Sequence, residues 1–125
     1  MDLLGPGVEE YLRETVPPVD EPVLLEMETH AEERGFPAVG RLVGNALELL
    51  ARAVGASRVF ELGSGFGYSA YWFSRAVGPG GEVHLTDRDP ENERLAHDFL
   101  GRAGLDGPIR FHLGDALEAF EAEGG

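Results

Sequence analysis

The stretch FELGSGFGYSA, residues 60–70, places three glycines, Gly63, Gly65 and Gly67, within five positions. A short apolar run, RVFEL (58–62), precedes them, and a helix-like run, YSAYWFSRAV (68–77), follows. Glycine adopts backbone conformations closed to other residues and has no Cβ, so a ligand can approach such a corner closely. The first N–H groups of the following helix are also available there. The stretch therefore predicts a strand, a tight turn and a helix that together hold a ligand.

The rest of the chain repeats the alternation of strand and helix. EVHLT (82–86) and IRFHL (109–113) are short, β-prone segments that read as two further strands. Asp89, followed by proline, and Asp115, with Glu118 three residues later, are typical helix starts. Strands that alternate with helices predict an α/β fold with a parallel sheet and right-handed crossovers.

The N-terminal part reads as helical. A short helix is expected over residues 6–16, and a polar helix after the break PPVDEP (17–22) ends at Gly35. A third helix precedes the first strand and carries a broad apolar stripe at helical spacing. Its members are Leu42, Val43, Ala46, Leu47, Leu49, Leu50, Ala53 and Val54.

Composition excludes several classes of function. The chain has 125 residues, no cysteine and a net charge of −13, and all ten of its basic residues are arginine. This charge repels nucleic acid and anionic membranes, so we expect neither as a partner. We see no membrane span and no signal peptide, and the absence of cysteine fits a reducing cytoplasm. The acids are spread along the chain, which favours adaptation to high salt over an ordinary acidic protein.

Two kinds of cofactor use a glycine corner of this type. The dinucleotide fingerprint G-x-G-x-x-G, counted from Gly63, would require glycine where the chain has Tyr68. Glu61, two residues before the first glycine, suits an ammonium group such as the methionine amine of S-adenosylmethionine and would repel a pyrophosphate. The spacing therefore favours S-adenosylmethionine, with an NAD-dependent oxidoreductase as the less favoured alternative.

Two aspartates after the later strands extend the candidate site. Asp87 lies 20 residues beyond Gly67, where a ribose-binding acid is expected. Capping of the next helix is the alternative for Asp87, although Asp89 suits that role better. Asp115 could accept the adenine amino group beside a neighbouring backbone N–H, or cap its helix, or do both.

The quoted segments, with GYSA after the glycines, AG before the third strand and GDA after it, resemble the class I S-adenosylmethionine-dependent methyltransferases. Within that class they resemble the O-methyltransferases related to catechol and caffeoyl-CoA O-methyltransferase, over residues 36–122. The resemblance implies a Rossmann-like, three-layer α/β/α domain over residues 36–125, preceded by a helical segment over residues 1–35. It implies transfer of a methyl group to a small-molecule hydroxyl.

The resemblance also implies the cofactor-binding residues. Those around the methionine end are Glu61, Gly63, Ser64, Gly65, Gly67, Tyr68 and Ser69. Asp87 is implied at the ribose, Asp115 with Ala116 at adenine, and Arg88 is counted among the cofactor-binding residues.

Members of the family have seven strands, whereas this chain reaches three. A divalent metal such as Mg²⁺ is implied for the full-length family, but we assign no metal ligand in this chain and expect the catalytic residues beyond Gly125. A three-stranded sheet would leave its first strand as a bare edge. We therefore expect the N-terminal part of a longer enzyme, or a homodimer that covers the edge.

Two further interpretations stay open. The chain could be a non-catalytic module that binds adenosylmethionine or dimerises. His84 and His112 occupy similar places in the second and third strands, and we expect them to be structural sheet neighbours rather than catalytic groups.

Overall fold

The computed structural model of the chain describes residues 7–15 and 21–124. The elements in chain order are α1 (Val8–Thr15), α2 (Pro22–Arg34), α3 (Gly40–Ala53), β1 (Arg58–Phe60), α4 (Tyr68–Val77), β2 (Glu82–Asp87), α5 (Pro90–Arg102), β3 (Ile109–Leu113) and α6 (Ala116–Ala122). The helix expected over 6–16 is present as α1, and positions 6 and 16 lie outside the described residues. None of the described helices is long and apolar enough to cross a membrane.

The three strands form one parallel sheet in the order β1-β2-β3. In this register Phe60 lies beside His84, and Thr86 lies beside His112. The prediction of a parallel α/β sheet is confirmed. β1 is shorter than the predicted 58–62 because the chain turns away from β2 into the glycine corner. The last sheet-like contact is the hydrogen bond from the Glu61 N–H to the His84 carbonyl.

Helices cover both faces of the sheet. Side chains of a strand alternate between faces, so Val83 and Leu85 point to one face and His84 and Thr86 to the other. The Val83 face packs in one apolar core with buried residues of α2, α4 and α5, among them Trp72. Burial of each large apolar side chain contributes roughly 1.5–3 kcal/mol relative to exposure. The opposite face is covered by α6, so the three-layer arrangement is confirmed.

The face of α3 that packs against the rest of the protein is not the apolar stripe predicted from the sequence. The buried residues of α3 are Gly44, Glu48 and Ala51, whereas Leu50 and Val54 are 63% and 78% exposed. Gly44 is in the interface because a Cβ there would fall 2.1 Å from the Trp72 indole nitrogen. Small side chains thus let α4 approach closely, and most of the apolar stripe faces outward.

Candidate cofactor site

The glycine corner is fastened to the end of β2 by hydrogen bonds. The Gly63 N–H donates to the Thr86 hydroxyl over 2.8 Å, and that hydroxyl donates in turn to the Glu61 carbonyl over 2.8 Å. The Ser64 N–H and hydroxyl both donate to the Thr86 carbonyl, over 2.7 and 3.1 Å. Thr86 is therefore the residue that holds the corner in shape. The sequence placed it at the end of a strand but did not indicate this role.

All three glycines of the corner have positive φ, at 81°, 57° and 95° for Gly63, Gly65 and Gly67. Other residues rarely adopt such values, so the backbone path itself requires glycine. At Gly65 a Cβ would also fall 2.2 Å from the Phe36 ring, and at Gly67 it would lie 3.3 Å from Leu100. These two glycines serve packing within the protein. Phe36 carried no sequence signal for this contact.

Gly63 differs from the other two because its missing Cβ faces open space. Apart from its two chain neighbours, no described residue has an atom within 4 Å of a Cβ built there. The helix that follows, α4, has Gly67 at its N-cap and no side chain that caps it. Its first N–H groups have no partner within the helix, and the positive end of the helix dipole favours an electron-rich group. The open side of the corner is thus at Gly63 and the start of α4.

Glu61 supplies a carboxylate with unusual electrostatics to this corner. Its Oε2 atom is buried and has no hydrogen-bond partner among the described residues. Burial raises the pKa of Glu61 to about 7, although a hydrogen bond with the Ser69 side chain acts in the opposite direction. A buried carboxylate oxygen without a partner is costly unless a cation or a donor meets it. The arrangement can therefore bind a ligand ammonium group.

Asp87 joins the corner to the turn after β2. Its Oδ2 accepts the Gly65 N–H over 3.2 Å, and its Oδ1 accepts the Asp89 N–H over 2.8 Å. Asp89 caps α5 by accepting the Glu91 N–H, so its predicted capping role is confirmed. Each carboxylate oxygen of Asp87 has further lone pairs and can still accept hydroxyl groups. Asp87 is therefore held in place next to the glycines and can still accept hydrogen bonds from a ligand.

The start of α6 forms the third part of the candidate site. Asp115 accepts the N–H groups of Leu117 and Glu118, which confirms its capping role. The Glu118 N–H and the Arg88 side chain lower the pKa of Asp115, and the Arg88 guanidinium donates to its Oδ2 over 2.6 Å. Ala116 is the first residue of α6, so its N–H has no hydrogen-bond acceptor within the helix.

The other predicted site residues contribute less of their side chains. Ser64 is buried, with its hydroxyl bonded to Thr86. Tyr68 is 2% exposed, and burial raises its pKa to about 12. Its hydroxyl lies next to the indole of Trp72 in the core. Tyr68 therefore offers its backbone N–H to the corner, whereas its ring belongs to the core.

A divalent metal beside the acceptor finds no matching donors in the described residues. Among residues 7–15 and 21–124, the one group of three ligating side chains is His84, His112 and Glu123. It lies on the α6 side of the sheet, where Glu123 pairs with Arg58 at the start of β1 and His112 lies beside Thr86 in the register. Its donors are imidazoles with one carboxylate, whereas Mg²⁺ prefers oxygen ligands. This group does not fit the metal that the resemblance implies, and we derive no catalytic step through a metal.

Comparisons with known proteins agree with this geometry. The model of the O-methyltransferase family matches residues 17–123. A catechol O-methyltransferase of Niastella koreensis is 31% identical over 90% of this chain and 51% of its own length. A crystal structure of a Geobacter sulfurreducens methyltransferase superposes with a TM-score of 0.85 at 33% identity, over 93% of this chain and 60% of that one.

A further solved structure is a complex with SAH. The O-methyltransferase from Bacillus cereus in complex with SAH has a TM-score of 0.81 at 26% identity, over 95% of this chain and 55% of that chain. The present chain spans about half the length of the curated relatives that it matches. The parallel sheet, the glycine corner after β1 and the match to the family model lead to one conclusion: the chain belongs to the O-methyltransferase family.

Proposed function

We propose that this chain binds S-adenosylmethionine and forms the cofactor-binding part of an O-methyltransferase that acts on a small-molecule hydroxyl. One observation carries the proposal. The corner after β1 combines open space at Gly63 with a buried carboxylate oxygen of Glu61 that lacks a partner. Ligands of open α/β sheets bind at the carboxyl ends of the strands, which is where this corner lies.

The proposed cofactor contacts follow the corner from one end to the other. Glu61 pairs with the ammonium group of the methionine part, which satisfies the carboxylate and holds it ionised at neutral pH. Gly63 and the first N–H groups of α4 lie along the chain of the cofactor. Asp87, already oriented by two backbone N–H groups, accepts the ribose hydroxyls.

Adenine is proposed to lie at the start of α6. The hydrogen bonds from the Leu117 N–H and from Arg88 orient the Asp115 carboxylate. Its remaining lone pairs accept a hydrogen bond from the exocyclic amino group of adenine. The N–H of Ala116 donates to a ring nitrogen. Arg88, whose side chain is 78% exposed, holds Asp115 in this orientation and does not itself contact the adenine ring.

When bound, the cofactor supplies a methyl group on a sulfonium, which is already a good electrophile. The task of the residues named here is to bind and orient it, so that the methyl group faces the acceptor hydroxyl. We assign no proton-transfer role to a described residue.

Partners are proposed from the surface of the chain. The net charge of −13 disfavours nucleic acid and anionic membranes. β1 pairs with β2 alone among the described strands, and the α3 stripe is exposed at Leu50 and Val54. We propose that a second copy covers these surfaces in a homodimer. Light scattering at high salt should give twice the chain mass, and a monomer mass would contradict this.

Calorimetric titration with S-adenosylhomocysteine, and with NAD in parallel, tests the cofactor proposal. We expect the first to bind and NAD not to bind, in about 2–3 M salt, where charge repulsion within the chain is screened. Asp87→Asn should weaken binding, whereas Asp98→Asn, an exposed change on α5, should leave it unchanged. Binding of NAD alone would overturn the proposal, and so would a folded chain that binds neither.

A further inference from the structure

We propose that His84, His112 and Glu123 form a zinc-binding site between the sheet and the end of α6. Each residue offers one ligand atom, and these atoms lie within 4.8 Å of one another. The two imidazoles meet directly, with His84 Nδ1 and His112 Nε2 2.8 Å apart. The nearer carboxylate oxygen of Glu123 lies 3.9 Å from His112 Nε2. Two imidazoles and one carboxylate are a ligand set that zinc uses with water in the fourth position.

The contacts around His84 leave its Nδ1 facing His112. Its Nε2 lies 3.0 Å from a carboxylate oxygen of Glu82 and 3.4 Å from the Arg58 Nε. Ligating histidines commonly contact a carboxylate through their other ring nitrogen, and the contact with Glu82 is of this kind.

The two rings meet through one bridging proton, which lies between His84 Nδ1 and His112 Nε2 across 2.8 Å. A zinc ion that replaces this proton, which is released to solvent, binds both nitrogens at about 2.0–2.1 Å, so the two nitrogens must move apart to about 3.3 Å. His84 is 3% exposed, so the ion would bind at the bottom of the cluster rather than on the open surface.

Two arginines lie close to the carboxylates around the cluster. Arg58 lies 3.3 Å from both the Glu82 and Glu123 carboxylates, and Arg110 also acts on Glu82. Arg58 contacts Oε2 of Glu123, whereas Oε1 is the oxygen nearer to His112. The carboxylate can therefore bind Arg58 and a metal through different oxygens. A cavity of about 190 Å³, which is large enough for water, adjoins the Glu123 side of the cluster.

Nitrogen ligands select the metal. Imidazole suits zinc and related transition metals, whereas Mg²⁺ prefers oxygen ligands and keeps its water. The three ligands come from β2, β3 and the end of α6, so zinc here would connect the end of α6 to the sheet. The proposal does not rest on the proposed cofactor function, because none of the three residues is a proposed cofactor contact.

Titration of the chain with Zn²⁺ alone, followed by calorimetry, is the direct test. We expect one ion per chain and a rise in the melting temperature with zinc but not with Mg²⁺. Co²⁺ in the same site should give the intense visible absorption of a four- or five-coordinate ion. Scattered surface carboxylates would leave Co²⁺ with the weak spectrum of the hydrated ion.

Two variants with matched controls identify the ligands. Glu123→Gln and His112→Ala should each weaken zinc binding by about tenfold or more. Glu121→Gln, on the same helix, and His97→Ala, an exposed histidine of α5, should change it less than about twofold. Glu123 ends α6 at the surface, so its variant tests the site even where a histidine variant fails to fold. Absence of a tight one-to-one site, or equal affinity in the site and control variants, would overturn the proposal.

Discussion

Replacement of Glu61 by glutamine should stabilise the chain at neutral and alkaline pH and leave it nearly unchanged in acid. Burial raises the pKa of Glu61 from its ordinary 4.5 to about 7, so the folded state holds a proton that the unfolded state has released between these values. The free energy of unfolding therefore falls as pH rises from about 4.5 to about 7. Glutamine keeps the shape of the side chain but has no charge to bury.

The magnitude follows from the two pKa values. The interval from 4.5 to about 7 corresponds to about 3 kcal/mol, and the partial exposure of Glu61 reduces this to about 2 kcal/mol. Urea unfolding at pH 4 and at pH 8.5, in high salt and without cofactor, measures it. Glu61→Gln should exceed the wild type by about that amount at pH 8.5 and nearly match it at pH 4, below both pKa values. Glu32→Gln, on the exposed side of α2, is the control. An equal pH dependence in Glu61→Gln and wild type would show that Glu61 does not bury its charge in the folded chain.

Three further predictions follow from the structure. In urea unfolding, Gly65→Ala should destabilise the chain more than Gly63→Ala, because the Phe36 ring occupies the space that a Cβ at position 65 would need. Gly63→Ala meets only the backbone strain of about 1–2 kcal/mol and should chiefly weaken cofactor binding. Equal losses of stability would contradict the packing role of Gly65. Arg88→Ala should weaken S-adenosylhomocysteine binding only a fewfold by calorimetry, since the Asp115 cap remains; abolished binding would show a direct contact instead. The melting temperature of the wild type should rise steeply between about 0.1 and 3 M salt, and a flat response would exclude adaptation to high salt.

The order of strands and helices and the helix caps could be predicted because their signals are local. Asp89 stands directly before a proline, and Asp115 stands three residues before Glu118, and both cap their helices as expected. The alternation of strand and helix also determines that the sheet is parallel. Around the glycine corner, the spacing along the chain indicated Glu61, the glycines and Asp87, whereas the resemblance to the family added Ser64, Tyr68 and Ser69.

The tertiary contacts of the corner could not be predicted in the same way. Nothing in a strand sequence says that the Thr86 hydroxyl will bond to both Gly63 and Glu61, because the pairing depends on the register between β1 and β2. The contact of Phe36 with Gly65 joins residues from separate elements. Likewise, helical spacing predicts an apolar stripe on α3 but not which face packs, and Trp72 selects the face of Gly44 instead.

Amide NMR of the ¹⁵N-labelled chain during titration with S-adenosylhomocysteine tests most directly whether the glycine corner is the cofactor site. We expect the amides of Gly63, Ser69, Asp87 and Ala116 to shift most, because these residues lie at the glycine corner, at the start of α4 and after β2 and β3. The amides of Gly78 and Gly107, at the opposite end of the strands, should remain in place. Shifts confined to that opposite end, or none at saturating ligand, would show that the glycine corner is not the cofactor site.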